Sequence, residues 1–236
     1  MKFLFVPGIN NTAATFDGVA RAMPARHDTI AVNCAALPDV DAIARDLLAR
    51  APDQFVVAGH SFGGYVALAM LAAGPDRVTG IVLMNSNDSA DPETVAEGRL
   101  DKARKADEGG YAELAEAASA RAYHPDNSGR ADLMAERHAA LSGYGAERFA
   151  AHMRASAARP DRSVLLKNCG KPILVVSGDA DVVIPTARQV EMAKRLRAEQ
   201  RTIAIAGHML PAEQPDALAA TLTAWADARF PTHEGA

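Results

Sequence analysis

Three stretches of the chain carry residue types that can do chemistry together. VVAGHSFGGYVAL, Val56–Leu68, sets Ser61 between Gly59 and Gly63; VVSGDADVVIP, Val175–Pro185, brings Asp179 and Asp181; AGHMLP, Ala206–Pro211, brings His208. A serine hydroxyl is a weak nucleophile until a base takes its proton, and an imidazole acting as that base needs a carboxylate behind it to hold one tautomer. The order along the chain is serine, acid, histidine. Such a set would attack an acyl carbonyl.

The glycines say how Ser61 would be presented. At a very sharp strand-to-helix turn the serine backbone enters a sparsely populated region, and its neighbours at minus two and plus two need to lack a Cβ. Gly59 and Gly63 stand at those places. The hydroxyl would then project from the strand edge beside the Phe62 N–H and the positive end of the following helix. A G-x-S-x-G match alone arises by chance in about one sequence in fifteen of this length, so the elements around it decide.

Those elements alternate. Lys2–Val6, Thr29–Cys34, Gln54–Ala58, Gly80–Met84, Ile173–Val176 and Thr202–Ala206 read as strands, several of them unbroken apolar runs of the kind a parallel sheet covered on both faces requires. Between them, helices are expected over Phe16–Met23, from Asp41 to Ala51 with Asp39 or Asp41 as cap, from Ser61 to Gly74, over Thr186–Glu199, and in a last amphipathic segment carrying Leu218, Leu222 and Trp225. From about Asn87 to Pro160 charged, alanine-rich helical segments replace strands, broken at Gly109-Gly110, His124-Pro125 and Gly143. Leu133, Met134 and Leu141, and Phe149 with Met153, read there as apolar faces packed on the main domain. The tail PTHEGA is expected to fray. In an open parallel sheet the ligand crevice lies at the carboxyl ends of the strands, so Ser61, the two aspartates and His208 all arrive on one edge.

VPGIN, GHSFGG, SGDADVVIP and GHML, in that order and strand context, make the chain resemble the α/β-hydrolase superfamily over nearly its whole length. The resemblance implies an α/β fold with a mostly parallel central sheet of about six strands, helices on both faces and a helical lid. It divides the chain into a core of residues 1–86 and 161–236 and a lid of residues 87–160. It implies Asp181 as the acid, separated from Gly178 by two residues, with Asp179 left to serve the turn, and His208 as the base. The oxyanion donors would be the Phe62 and Ile9 N–H groups, although Pro7 stands where the family has His; Asn10 is the fallback donor and a candidate substrate ligand. Asn85 and Met209 are further candidates at the crevice. His60 should point away from Ser61 and pack or hydrogen-bond. Tyr111, Tyr123, His124, Tyr144 and Met153 are lid residues that could face the pocket. The two leading strands of the family are absent, which would make TIAVNC an exposed edge that a homodimer could cover.

Composition bounds the remaining possibilities. A chain of 236 residues with a formal net charge of −4 and no long basic run indicates neither nucleic acid nor an anionic membrane surface as partner. No apolar run approaches the roughly 18 residues of a membrane span, and Pro7-Gly8 interrupts the short apolar start. Cys34 and Cys169 do not make a disulfide framework, and a reducing cytoplasm is the expected location. No H-E-x-x-H and no cluster of Cys and His occurs, so no metal and no cofactor is expected. The expected activity is that of a serine carboxylesterase acting on a small ester, lactone or thioester. C–C bond hydrolysis, perhydrolysis and hydroxynitrile lysis use the same three residues, and a low-turnover ligand receptor could keep the same fold.

Overall fold

Residues that must shed water from both faces of a sheet leave no room for polar alternation, and the apolar runs become the central strands. The computed structural model describes residues 1–119 and 121–231, so most of the tail expected to fray lies outside the described residues. Strand β1 (Lys2–Val6), helix α1 (Asp17–Ala22), strand β2 (Asp28–Ala31), helix α2 (Val40–Arg50), strand β3 (Phe55–His60), helix α3 (Phe62–Ala73) and strand β4 (Val78–Met84) come first. Five helices follow: α4 (Glu93–Lys105), α5 (Tyr111–Ser119), α6 (Ala131–Tyr144), α7 (Ala146–Ala158) and α8 (Ser163–Asn168). The alternation then resumes with β5 (Ile173–Gly178), α9 (Thr186–Leu196), β6 (Glu199–Ile203), α10 (Leu210–Glu213) and α11 (Pro215–Arg229). All six strands are parallel, in the order β2-β1-β3-β4-β5-β6.

Side chains alternate across each strand and so split into two cores. Leu4, Val6, Val57, Leu83 and Val175 face α2, α3 and α9, whereas Phe3, Phe5, Val56, Val82 and Val176 face α1 and α11. A smaller cluster of Ala103, Tyr144, Phe149 and Met153 ties α4, α6 and α7 together. Among the described residues no helix is long and apolar enough to cross a membrane.

Several boundaries differ from the sequence expectation, each for a local reason. The edge strand β2 ends at Ala31 rather than Cys34, since its ladder on β1 runs only from Lys2 opposite Asp28 to Phe5 opposite Ala31. The last strand occupies Glu199–Ile203 rather than Thr202–Ala206. The Asp179 carboxylate accepts the Ile205 and Ala206 N–H groups and draws that segment off the sheet. Helix α9 stops at Leu196 because Arg197 turns left-handed, with φ 54°. The break expected at Gly143 falls at Gly145, with φ 81°. Asp39 does cap α2, accepting the Asp41 and Ala42 N–H groups.

Candidate active site

Ser61 sits between the end of β3 and the first turn of α3 with φ 52° and ψ −117°, a conformation that costs a non-glycine residue about 1–3 kcal/mol. The turn is so tight that a Cβ on Gly59 would lie 2.2 Å from the Gly63 carbonyl oxygen, and one on Gly63 would lie 2.0 Å from that of Val6. The Ser86 hydroxyl donates to the Ser61 carbonyl at 2.8 Å and fixes the turn from the β4 side. What the strain achieves is exposure of the Ser61 side chain at the rim.

Asp181 follows β5 and His208 follows β6, so three strand ends bring the groups together. His208 Nε2 lies 2.9 Å from Ser61 Oγ, and His208 Nδ1 lies 3.1 and 3.0 Å from the two Asp181 oxygens. A carboxylate can only accept, so Nδ1 carries the proton and Nε2 presents its lone pair to the serine hydroxyl. Asp181 is buried and held on all sides: Oδ1 accepts the Val183 and Ile184 N–H groups at 2.9 and 3.0 Å, and Oδ2 accepts Gln189 Nε2 at 3.1 Å. Asp179 is occupied with the turn after β6 and does not contact His208.

The histidine loop is supported from below. His60 Nε2–H and Asn85 Nδ2–H both donate to the His208 carbonyl oxygen, at 2.7 and 2.9 Å. Burial, with His208 beside it, pushes the His60 imidazole down to about 3, so it stays a neutral strut. Glu213, also buried, accepts the Gly207 N–H at 2.8 Å together with the His124 N–H and Asn127 Nδ2–H, joining the histidine loop to the segment between α5 and α6.

A cavity of about 440 Å³ opens above Ser61 and His208. Of the residues expected at the site, Ile9, Asn10, Phe62 and Met209 line it. Among the described residues neither the Ile9 nor the Phe62 N–H has a hydrogen-bond acceptor. Asn85 is placed elsewhere: it is fully buried, its amide nitrogen donates to the Gly207 and His208 carbonyls, and its oxygen accepts the Gly178 N–H. With every polar atom of its amide engaged, Asn85 splices β5 to the histidine loop rather than meeting a ligand.

The lid candidates divide as well. Tyr123 and Met153 line the cavity; Tyr111 instead reaches Asn10 Oδ1 with its hydroxyl at 3.1 Å. Tyr144 donates to His152 Nδ1, and His152 Nε2–H donates to the Ala35 carbonyl at 2.8 Å while its ring stacks on Phe62. Burial lowers the His152 imidazole to about 4. His124 uses its ring to cap the short turn at Asp126. Leu141 and Phe149, expected only to pack, also form the cavity wall. Sequence reasoning missed Tyr65, Leu114 and Ile184 on that wall, and the supports Gln189 and Glu213; an acid five residues after His208, at the next helix, was the available signal for Glu213. Among the described residues no group of three or more His, Cys, Asp or Glu is arranged to hold a metal ion.

Residues 3–221 match the model of the alpha/beta hydrolase family. The chain is similar in structure to a thermophilic esterase from Thermogutta terrifontis solved with malate bound, with TM-score 0.91 and 22% identity over 97% of this chain and 90% of that one. It is similar to an enol-lactonase from Burkholderia xenovorans, with TM-score 0.83 and 20% identity over 95% and 90% of the two chains. It is also similar to MenH from S. aureus, with TM-score 0.82 and 15% identity over 97% and 94%.

Proposed function

Because the chain belongs to the alpha/beta hydrolase family, we propose that it is a serine hydrolase cleaving a small carboxylic ester, lactone or thioester. One observation carries the reading: Ser61 Oγ, His208 and the Asp181 carboxylate form a continuous hydrogen-bonded line, with separations of 2.9 and 3.0 Å, at the floor of a cavity. Ser61 Oγ bonds to the acyl carbon as its proton passes to His208 Nε2. The tetrahedral oxyanion is met by the Phe62 and Ile9 N–H groups, each such donor being worth about 3 kcal/mol to the transition state. The alcohol or thiol then leaves with the proton held on His208. Water, deprotonated by the same imidazole, attacks the acyl-enzyme and releases the acid, and Ser61 recovers its proton. Throughout, Asp181 keeps the ring in one tautomer and stabilises its cation.

Residues 87–160 serve as the lid of this site. Tyr123, Leu141, Phe149 and Met153 from that segment cover the reacting centre and exclude bulk water. A cavity of about 440 Å³ lies toward the lower end of the range for small-ligand sites, which favours short acyl groups. The ester and lactone chemistry named for two of the structural neighbours is chemistry that such a site serves. The test is hydrolysis of p-nitrophenyl esters of increasing acyl length by the native protein and by Ser61→Ala, together with fluorophosphonate labelling. Stoichiometric labelling at Ser61 and loss of turnover in Ser61→Ala are expected. Equal rates from the two proteins and no labelling would defeat the proposal.

A further inference from the structure

The wall of the cavity is divided by charge in a way the hydrolytic reaction alone does not require. Much of the lining is apolar, including Leu114, Leu141, Phe149, Met153 and Met209. Four cations complete the lining, Arg99, Lys102, Arg121 and Arg137, and no Asp or Glu is among the lining residues. All four come from the segment between β4 and β5: Arg99 and Lys102 from α4, Arg121 from just beyond α5, and Arg137 from α6. This concentration runs against the chain as a whole, whose formal net charge is −4.

The four are not equally committed. Arg99 Nε is paired with Asp91 at 2.5 Å, and Arg137 reaches the exposed Glu116 at 3.4 Å. Lys102 and Arg121 are exposed and have no ion-pair partner among the described residues. Val182 and Val183, which also line the cavity, stand 53% and 48% exposed beside the acid turn. An exposed lining that combines unpaired cations with bare valines, continuous with an apolar wall, suits a molecule that is apolar along its length and anionic at the end away from the scissile bond.

We propose that the substrate of this site carries a carboxylate or phosphate group which Lys102 and Arg121 hold at the mouth while the acyl carbon rests over Ser61. This proposal deepens the serine-hydrolase reading and rests on it. The anion could belong to the acyl part or to the leaving group, and two substrate pairs separate the cases. The p-nitrophenyl monoester of glutaric acid against p-nitrophenyl valerate places the charge on the acyl side. The butyryl thioester of coenzyme A against that of N-acetylcysteamine places it on the leaving side.

Exposed ion pairs are individually weak, about threefold to fivefold each, so two together should give about a tenfold preference in kcat/KM for the anionic member of one pair. That ratio should fall toward unity at about 0.5 M salt, where the screening length shrinks to a few Å. It should also fall about tenfold in Lys102→Ala/Arg121→Ala, since both pairings are lost. The ratio is the readout, because either change could also alter absolute rates. Ratios near one for both pairs, or ratios indifferent to salt and to the double substitution, would mean solvated lid cations only and would overturn the proposal. Binding of monomethyl glutarate against methyl valerate to Ser61→Ala, measured by calorimetry, reads the same preference without turnover. Thus a protein that turns over nothing refutes the hydrolase reading, whereas equal binding to Ser61→Ala within this pair and also between the butyryl thioesters of coenzyme A and N-acetylcysteamine refutes the anion site.

Discussion

Asp181→Asn isolates the tautomer control on which the proposed mechanism depends. The native carboxylate meets two kinds of donor. Oδ1 accepts the Val183 and Ile184 backbone N–H groups, which cannot turn away, so an asparagine at this position must keep its oxygen there. Its NH₂ group then occupies the Oδ2 site, 3.0 Å from His208 Nδ1. Gln189 Nε2, which donates to Oδ2 at 3.1 Å and to the Ile184 carbonyl at 2.7 Å, keeps the second bond and loses the first, so the fold can absorb the change at some cost in stability. His208 cannot absorb it. The NH₂ facing Nδ1 opposes the proton there, which the retained oxygen at 3.1 Å is left to hold alone, and once the proton sits on Nε2 that nitrogen has no lone pair for the Ser61 hydroxyl at 2.9 Å. Losing the base in a serine triad this way costs about ten-thousandfold in kcat, equivalent to about 5.5 kcal/mol. The assay is steady-state hydrolysis of p-nitrophenyl acetate, with thermal unfolding to verify the fold and Asp179→Asn as the control. The Asp179 carboxylate accepts the Ile205 and Ala206 N–H groups, away from His208, so its variant should lose stability and keep most of its rate. Activity of Asp181→Asn within tenfold of native, with Asp179→Asn the more damaged, would refute the assignment of the acid.

Other outcomes follow from the buried supports. His60 and His152 have folded values lowered by burial to about 3 and about 4, against an ordinary 6.5, so below 6.5 the unfolded chain takes up protons that the folded chain refuses. Stability should therefore fall with decreasing pH through that window, by about 2 kcal/mol per histidine between pH 6.5 and 5; urea midpoints that match at pH 7 and 5 would contradict this. Glu213→Ala leaves the buried Gly207 N–H and the His124 N–H without their acceptor, while the Asn127 amide keeps only the Ile205 carbonyl, and should destabilise the protein by about 2–4 kcal/mol while lowering kcat through the histidine loop. Thermal denaturation and ester hydrolysis measured on one preparation check both effects. Gly63→Ala forces a methyl to within 2.0 Å of a backbone oxygen, so the turn presenting Ser61 must open; native Tm and native fluorophosphonate labelling in that variant would contradict the geometry.

The parts of this molecule legible in its sequence are those whose residue type is dictated locally. Gly59 and Gly63 are required by contacts with backbone that no side chain can relieve, and they mark the strand-to-helix turn without knowledge of the rest of the fold. Apolar runs declare the buried strands for the same reason. Boundaries fail where a distant side chain decides them, as when Asp179 takes the N–H groups that would have continued β6. Asn85 shows the same limit at the site. A polar residue at a strand end can face the crevice or splice two loops beneath it, and only the positions of Gly178, Gly207 and His208 select the second role.

The cavity wall was hidden for a different reason. Phe149 and Met153 lie one turn apart on α7, and that spacing is all the sequence offers; a helix stripe packed on its neighbours and a stripe facing a ligand have the same period. Here the two roles coincide, since both residues belong to the cluster joining α4, α6 and α7 and also line the cavity. The apolar face that holds the helical segment together is thus also the surface a substrate would meet. A substitution such as Phe149→Ala should accordingly change acyl-length preference and stability at once. The chemistry at Ser61, set by β3, β5 and β6, would be preserved because those strands pack on the sheet cores and not on this cluster.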